Sequence, residues 1–385
     1  MIPAKTLVVS GDRLRATYEL AYGLADARER AAAISVEQTI EFPADLVADD
    51  DIRRHVIGRV ESVEAVSATH SRAVISYAVE TTGGELPQLL NVLFGNCSLL
   101  PGVRLVGLEL PPSLLARFRG PRFGVAGLRR LVGAGNRALL ASALKPMGLS
   151  TDDHAAIADT MVRGGVDIIK DDHGLANQPF APWETRMRAA AAAVRHANEQ
   201  TGRHTLYMPS LNGPADELFE RARLAKDAGA GGLLVLPGLT GFDGMRTLAA
   251  DDSLSLPIMG HPSFLGSFVI NPDAGIEHGL MFGTIFRLAG ADMTVFPNFG
   301  GRFSFSREAC ASIAAACRAQ LGDLAPIYPT PGGGMTVARA PEILEFYGTD
   351  TSLLVGGDLH RGDLLANVQR MRAAVDAQPA GAALA

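Results

Sequence analysis

From about Arg137 onward, short apolar runs alternate with amphipathic or alanine-rich stretches, the signature of parallel βα units. The strand candidates are Leu139–Lys145, Val166–Lys170, Thr205–Pro209, Gly232–Leu236, Leu256–His261, Asp292–Pro297, Ala325–Thr330 and Leu353–Gly357. Eight such strands with helices between them predict a (β/α)8 TIM barrel, whose active site lies at the C-terminal strand ends. Before it the pattern is mixed. Arg72–Val79 alternates with period two, as a half-buried strand does, whereas Pro87–Phe94 has helical spacing. That mixture predicts an N-terminal α+β domain over residues 1–125, followed by the barrel over 126–385. The tail from Ala373 through Gln378–Ala382 reads as frayed.

Composition narrows the chemistry. A chain of 385 residues that is 47% apolar can bury a large core. Its net charge of -6 is spread without a basic block, which argues against nucleic-acid or anionic-membrane partners and for small-molecule chemistry. Cys97, Cys310 and Cys317 lack metal-ligand spacing and read as reduced core residues. Met1–Lys5 carries no cationic leader ahead of an apolar stretch, and no apolar run reaches membrane-spanning length, so the expected compartment is the cytoplasm.

Polar residues collect where the strands finish. The first strand ends in Lys145, the second in Lys170 with Asp171, Asp172 and His173, and the fifth in His261; the sixth runs into Asn298 and Arg302. Any one of these is an ordinary solvated strand end, but eight strand ends share one rim. Asp171 and Asp172 are consecutive, so if the strand continues only one of them faces the Lys170 side, and Asp172 is the favoured ligand. A buried lysine beside a metal can lose its proton and take up carbon dioxide as a carbamate, which turns a cation into an oxygen ligand. The competing reading of Lys170 is a structural ion pair with Asp171 or Asp172. His173 is either a further ligand or a hydrogen-bonding loop residue. Pro331-Gly332-Gly333-Gly334 follows the seventh strand and Gly356-Gly357 ends the eighth, where backbone N–H groups commonly bind phosphate. Phe296–Phe303 combines a glycine pair, aromatic residues and one cation. It reads as a lid or as a loop whose phenylalanines pack on the barrel.

Taken in order, Phe118-Arg119-Gly120-Pro121, Leu144–Ser150, Gly164–Asp172 and Asn177-Gln178-Pro179-Phe180 resemble the large subunit of ribulose-bisphosphate carboxylase (RuBisCO). The likeness continues through the two glycine turns and, N-terminally, through Val36-Glu37-Gln38-Thr39 and Gly95-Asn96, so it covers nearly the whole chain. It implies that Lys170 is carbamylated by carbon dioxide to bind magnesium, with Asp172 as co-ligand and Lys145 as a proton-transfer lysine. It also implies a homodimer or dimer-based oligomer in which Glu37 and Asn96 complete the neighbouring subunit's site.

The departures bear on function. His173 stands where the carboxylase has a second carboxylate ligand, so manganese or another divalent ion competes with magnesium. Arg302 stands where the carboxylase has a lysine that handles carbon dioxide, and a guanidinium does not donate protons near neutrality. His261-Pro262 replaces a histidine-arginine pair, while Met293 and Val295 replace histidines, so one of two phosphate sites loses its anchors. The chain therefore resembles the RuBisCO-like proteins that do not carboxylate. That resemblance implies metal-stabilised enolate chemistry on a monophosphorylated keto sugar or 3-oxo sugar acid. The candidates are an isomerase or enolase of methylthioribulose 1-phosphate type and a decarboxylase of 3-oxo-isoapionate 4-phosphate type. Lys145, Lys170, His261, Arg302, Glu37 and Asn96 are the expected catalytic residues. Arg302 as a carboxylate clamp favours decarboxylation; Met293, Val295, Phe296 and Phe299 as an apolar pocket favour a methylthio tail. The alternatives are a metal-independent lyase with a Schiff base on Lys145 or Lys170, and a non-catalytic regulatory relative.

Overall fold

A computed structural model describes residues 7–303 and 305–377, in two compact units, Met1–Phe118 with Leu265–Met281 and Arg119–Phe264 with Phe282–Ala385. Met1–Lys5 and Gln378–Ala382 lie outside the described residues. Ala373–Asp376, expected to fray, instead forms the last turn of helix Leu364–Asp376, because Val375 is buried and Arg372 pairs with Asp376 at 2.6 Å.

The first unit holds β1 (Arg13–Leu20), β2 (Arg59–Ala65), β3 (Ser71–Ala78), β4 (Val103–Glu109) and the two-residue β10 (Gly275–Ile276), in the order β10-β4-β1-β3-β2. In β1, Leu14, Ala16, Tyr18 and Leu20 all face the core, as period-two alternation requires. The strand expected at Arg72–Val79 and the helix expected at Pro87–Phe94 occur as β3 and as Leu86–Phe94. A single division at residue 125 does not describe the chain. Residues 265–281 return to the first unit, where β10 pairs with Arg104 and Leu105 and Asp273 meets His70 at 3.2 Å. A two-residue strand has no periodicity by which the sequence could announce it.

The second unit contains β5 (Leu139–Leu144), β6 (Ile168–Asp171), β7 (Leu206–Met208), β8 (Leu233–Val235), β9 (Ile258–Gly260), β11 (Met293–Pro297), β12 (Tyr328–Gly332) and β13 (Ser352–Val355). They form a parallel sheet in the order β7-β6-β5-β13-β12-β11-β9-β8. A bridge from Ser210 to Leu234, with Leu211 N–H bonded to the Leu234 carbonyl at 2.9 Å, joins β7 to β8 and closes the (β/α)8 barrel. Every residue of β5, β6 and β13 is buried, which is why these strands read as continuous apolar runs. Leu139, Ala141, Ile168, Met208, Leu234, Met259, Met293, Val295, Tyr328 and Leu354 fill the interior. Leu128 and Val132 of helix Gly124–Val132 join that cluster, and the start of this helix is held by Asp292, whose Oδ1 accepts the N–H groups of Phe123 and Gly124 at 2.7 Å each. The three cysteines are buried free thiols. Among the described residues, no helix is long and apolar enough to cross a membrane.

Candidate active site

The barrel interior fixes which side chains reach the mouth. Leu139 and Ala141 point inward, so two-residue alternation carries Lys145 inward as β5 ends; Ile168 does the same for Lys170 and Asp172. Five residues after Lys145 a capping box starts helix Thr151–Gly164: the Ser150 hydroxyl accepts the Asp153 N–H at 3.2 Å, and Asp153 accepts the Ser150 N–H at 3.1 Å. The excursion bearing Lys145 is therefore short and anchored at both ends.

Asp171 faces the other way. Its carboxylate, fully buried, accepts the Tyr207 hydroxyl at 2.8 Å, the Ser210 N–H at 3.2 Å and Arg186 at 3.3 Å. Arg186, on helix Trp183–Thr201, also donates to the carbonyls of Ala176 and Ala181, tying the loop after β6 to the same cluster. This outer cluster holds Asp171 out of the barrel and thereby holds its neighbours in.

Lys145, Lys170, Asp172, His173 and His261 come together. Lys145 Nζ lies 3.5 Å from Asp172 Oδ1, and His173 Nδ1 lies 3.2 Å from the same oxygen. Lys170 Nζ donates to the Asp171 carbonyl at 3.0 Å. Burial, reinforced by Lys145 and opposed by Asp172 and Asp171, pushes the Lys170 ammonium down to about 8. Burial alone would raise Asp172, but the His173 hydrogen bond and the Lys170 and Lys145 charges outweigh it and hold this carboxyl well below the usual range. The His173 and His261 rings stack with centroids 4.7 Å apart and planes 15° from parallel. His261 Nδ1 faces the Ser263 N–H at 3.2 Å and its hydroxyl at 2.9 Å, so Nδ1 accepts and the neutral ring carries its proton on Nε2. Burial and the neighbouring Lys170 charge keep His261 neutral, far below the usual histidine range.

The glycine turns serve two purposes. A Cβ on Gly334 (φ +65°) would stand 3.0 Å from the Gly301 Cα, so part of the Gly332-Gly333-Gly334 requirement is contact with the loop after β11. Gly333 and Gly357 face open space, leaving their backbone approachable by an anion. A Cβ on Gly356 would lie 3.6 Å from Lys145 Nζ, which puts that lysine against the turn after β13. His360, in the single turn Gly357–His360, was not anticipated. Its Nε2 is buried without a hydrogen-bond partner, and burial and the Lys145 charge lower its basicity.

The remaining expected residues make contacts of their own. Arg302 is exposed, with its guanidinium 4.5 Å from the Phe303 ring centroid. Only Gly300–Phe303 projects from the lid candidate: Asn298 is buried and accepts the Tyr347 hydroxyl at 2.7 Å, and Phe299 packs against Phe346 at 4.8 Å. Met293 and Val295 belong to the barrel core and Phe296 packs on Tyr347, so these side chains are committed to packing and do not form a free apolar pocket. Glu37 and Asn96 sit in the first unit, where the Asn96 amide donates to Glu37 at 2.9 Å.

Among the described residues no three histidine, cysteine, aspartate or glutamate side chains stand together as a ready metal site. Asp172 and His173 supply two ordinary donors, and the adjoining buried Lys170, with its lowered proton affinity, fits a carbamate as the third.

The chain is a (β/α)8-barrel protein that presents two lysines and a carboxylate at the C-terminal ends of adjacent strands, the face on which barrel enzymes carry their active sites. Residues 124–385 match the ribulose bisphosphate carboxylase large chain catalytic domain, and the chain belongs to that family. It is 41% identical over 349 residues to a 5-methylthioribulose-1-phosphate isomerase of Rhodospirillum rubrum, covering 90% of this chain and 91% of that one. A 2,3-diketo-5-methylthiopentyl-1-phosphate enolase of Geobacillus thermodenitrificans is 35% identical over 384 residues, covering 95% and 92%. The crystal structure of a RuBisCO-like protein from Rhodopseudomonas palustris superposes with a TM-score of 0.87 at 39% identity, covering 96% of this chain and all of that one.

Proposed function

We propose that the protein is a metal-dependent isomerase of a monophosphorylated keto sugar, acting on 5-methylthioribulose 1-phosphate or a close analogue. The observation that carries this reading is the position of Lys145, between the Asp172 carboxylate and the Gly356 turn. A lysine there is within reach of a proton next to a carbonyl while the phosphate is held by backbone N–H groups. Identity to the R. rubrum isomerase supports the substrate class.

In this reading Lys170, as a carbamate, and Asp172 hold a magnesium or manganese ion. At pH 7.5 a lysine with a pKa of about 8 is about a quarter neutral, against about a thousandth for an ordinary lysine, so Lys170 is prepared for carbon dioxide. A bound divalent ion supplies Lewis-acid polarisation of the substrate carbonyl. Lys145, as the free amine and not the ammonium that pairs with Asp172, removes the neighbouring proton and returns it one carbon away. His261, neutral with a proton on Nε2, donates a hydrogen bond into the mouth. The turns at Gly332–Gly334 and Gly356–Gly357 take the one phosphate. Glu37 and Asn96, held to each other, complete the site of a second copy in a homodimer. Arg302, exposed over Phe303, offers no support for a carboxylate clamp, so decarboxylation of a branched 3-oxo acid phosphate is the weaker substrate assignment.

One feature favours a second reading: a buried lysine of lowered proton affinity beside another lysine also suits Schiff-base formation with a ketose phosphate. The test presents the protein, with magnesium or manganese and bicarbonate, separately with 5-methylthioribulose 1-phosphate, the diketo-methylthiopentyl phosphate and a branched 3-oxo acid phosphate. Metal-dependent isomerisation of the first supports the proposal. Metal-independent turnover, with borohydride trapping of substrate on Lys145 or Lys170, replaces it with the Schiff-base reading.

A further inference from the structure

Asp172 Oδ1 and His173 Nδ1 are 3.2 Å apart. Two donors bound side by side on one six-coordinate ion, each at about 2.1 Å, are separated by about 3.0 Å. The pair therefore already has the spacing of neighbouring ligands. The ring plane is also constrained. His173 lies flat against His261, 4.7 Å away, and His261 is itself held by two contacts from Ser263 to its Nδ1. This stack sets the plane of the His173 ring, and the Asp172 contact turns its Nδ1 to the carboxylate. Since Asp171 is committed to Arg186 and Tyr207 outside the barrel, it cannot take the place of His173 without breaking that cluster.

We infer that His173 is a direct nitrogen donor to the divalent ion and that it shifts the site's preference from magnesium toward the borderline first-row ions, manganese through cobalt. Magnesium demands oxygen ligands in near-octahedral geometry and gives up water reluctantly, whereas imidazole suits the later ions. With one carboxylate and one imidazole as its ordinary donors, the site forgoes an anionic oxygen that magnesium favours. The inference rests on the divalent-ion reading above and adds the identity of a ligand and the class of ion.

The experiment reads binding, not turnover. The full-length protein with bicarbonate is loaded with manganese, and pulsed electron paramagnetic resonance detects nitrogen coupled to the ion. Equilibrium dialysis gives the affinities for cobalt and magnesium in the wild type and in His173→Glu. His173 is half exposed, so its substitution leaves the fold intact. The expected result is nitrogen modulation in the wild type, lost in His173→Gln and kept in His261→Gln. In His173→Glu, the cobalt-to-magnesium affinity ratio falls at least tenfold. Manganese bound without nitrogen modulation, modulation that survives in His173→Gln, or an unchanged ratio overturns the donor assignment while leaving the divalent-ion site standing. No binding of either ion at millimolar concentration overturns the divalent-ion reading and this inference with it.

Discussion

Replacing Lys170 with methionine, similar in length and uncharged, separates what this lysine costs the fold from what it does for chemistry. Burial lowers its pKa from 10.5 to about 8 in the folded protein, which corresponds to about 3 kcal/mol against folding when the side chain is charged. The unfolded chain binds the proton more tightly, so stability rises with pH between about 8 and 10.5. The penalty is fully present below pH 8 and is relieved above it. Loss of the hydrogen bond to the Asp171 carbonyl offsets about 1 kcal/mol, so Lys170→Met is expected to be about 2 kcal/mol more stable than the wild type at pH 7. Urea unfolding followed by circular dichroism at pH 7, 8.5 and 10, with chelator present and bicarbonate removed, measures the difference. The advantage should shrink steadily toward pH 10, and the variant should have no activity at any pH. A variant less stable than the wild type at pH 7, or an advantage that does not change between pH 7 and 10, would refute the reasoning.

Lys145→Ala is expected to lower turnover by about 10²–10⁴-fold with little change in substrate affinity, measured by steady-state kinetics and calorimetric titration. Arg186→Met leaves the Asp171 carboxylate buried without its cation and should cost about 3–5 kcal/mol in chemical denaturation. Gly334→Ala combines a positive φ with a 3.0 Å approach to the Gly301 Cα, so a loss of about 1–3 kcal/mol and weaker binding of inorganic phosphate should appear together. Arg302→Met should leave isomerisation within about threefold of the wild type, as substitution of an exposed side chain whose contact is with Phe303 does.

The barrel was legible in the sequence because its strands are buried on both faces, and unbroken runs such as Leu139–Leu144 admit few other readings. Lys145, Lys170, Asp172 and His261 were legible for the same reason, since polar residues closing apolar strands stand out and period-two alternation sorts Asp172 from Asp171. Other features left no readable trace. The return of residues 265–281 to the first sheet depends on long-range pairing of two residues. The role of Arg186 had a faint signal, a charge within the buried stripe Trp183, Met187 and Ala190, but its partner Asp171 sits on a different element, β6, fifteen residues earlier. Gly334 shows why glycine runs are ambiguous, because loop packing and anion binding call for the same residue. Met293 and Phe299 show the converse: an apolar side chain near a site in sequence is claimed by the core unless a cavity is left open for it.

The central claim, that Lys145 moves a proton next to a phosphorylated sugar's carbonyl, is tested most directly by proton NMR of 5-methylthioribulose 1-phosphate in deuterated water. The sample carries the wild-type protein, manganese and bicarbonate, and is compared with Lys145→Ala. The account predicts isomerisation or solvent deuterium at the carbon beside the carbonyl with the wild type, and neither with the variant. No exchange by the wild type, or exchange that continues undiminished in Lys145→Ala, would contradict it.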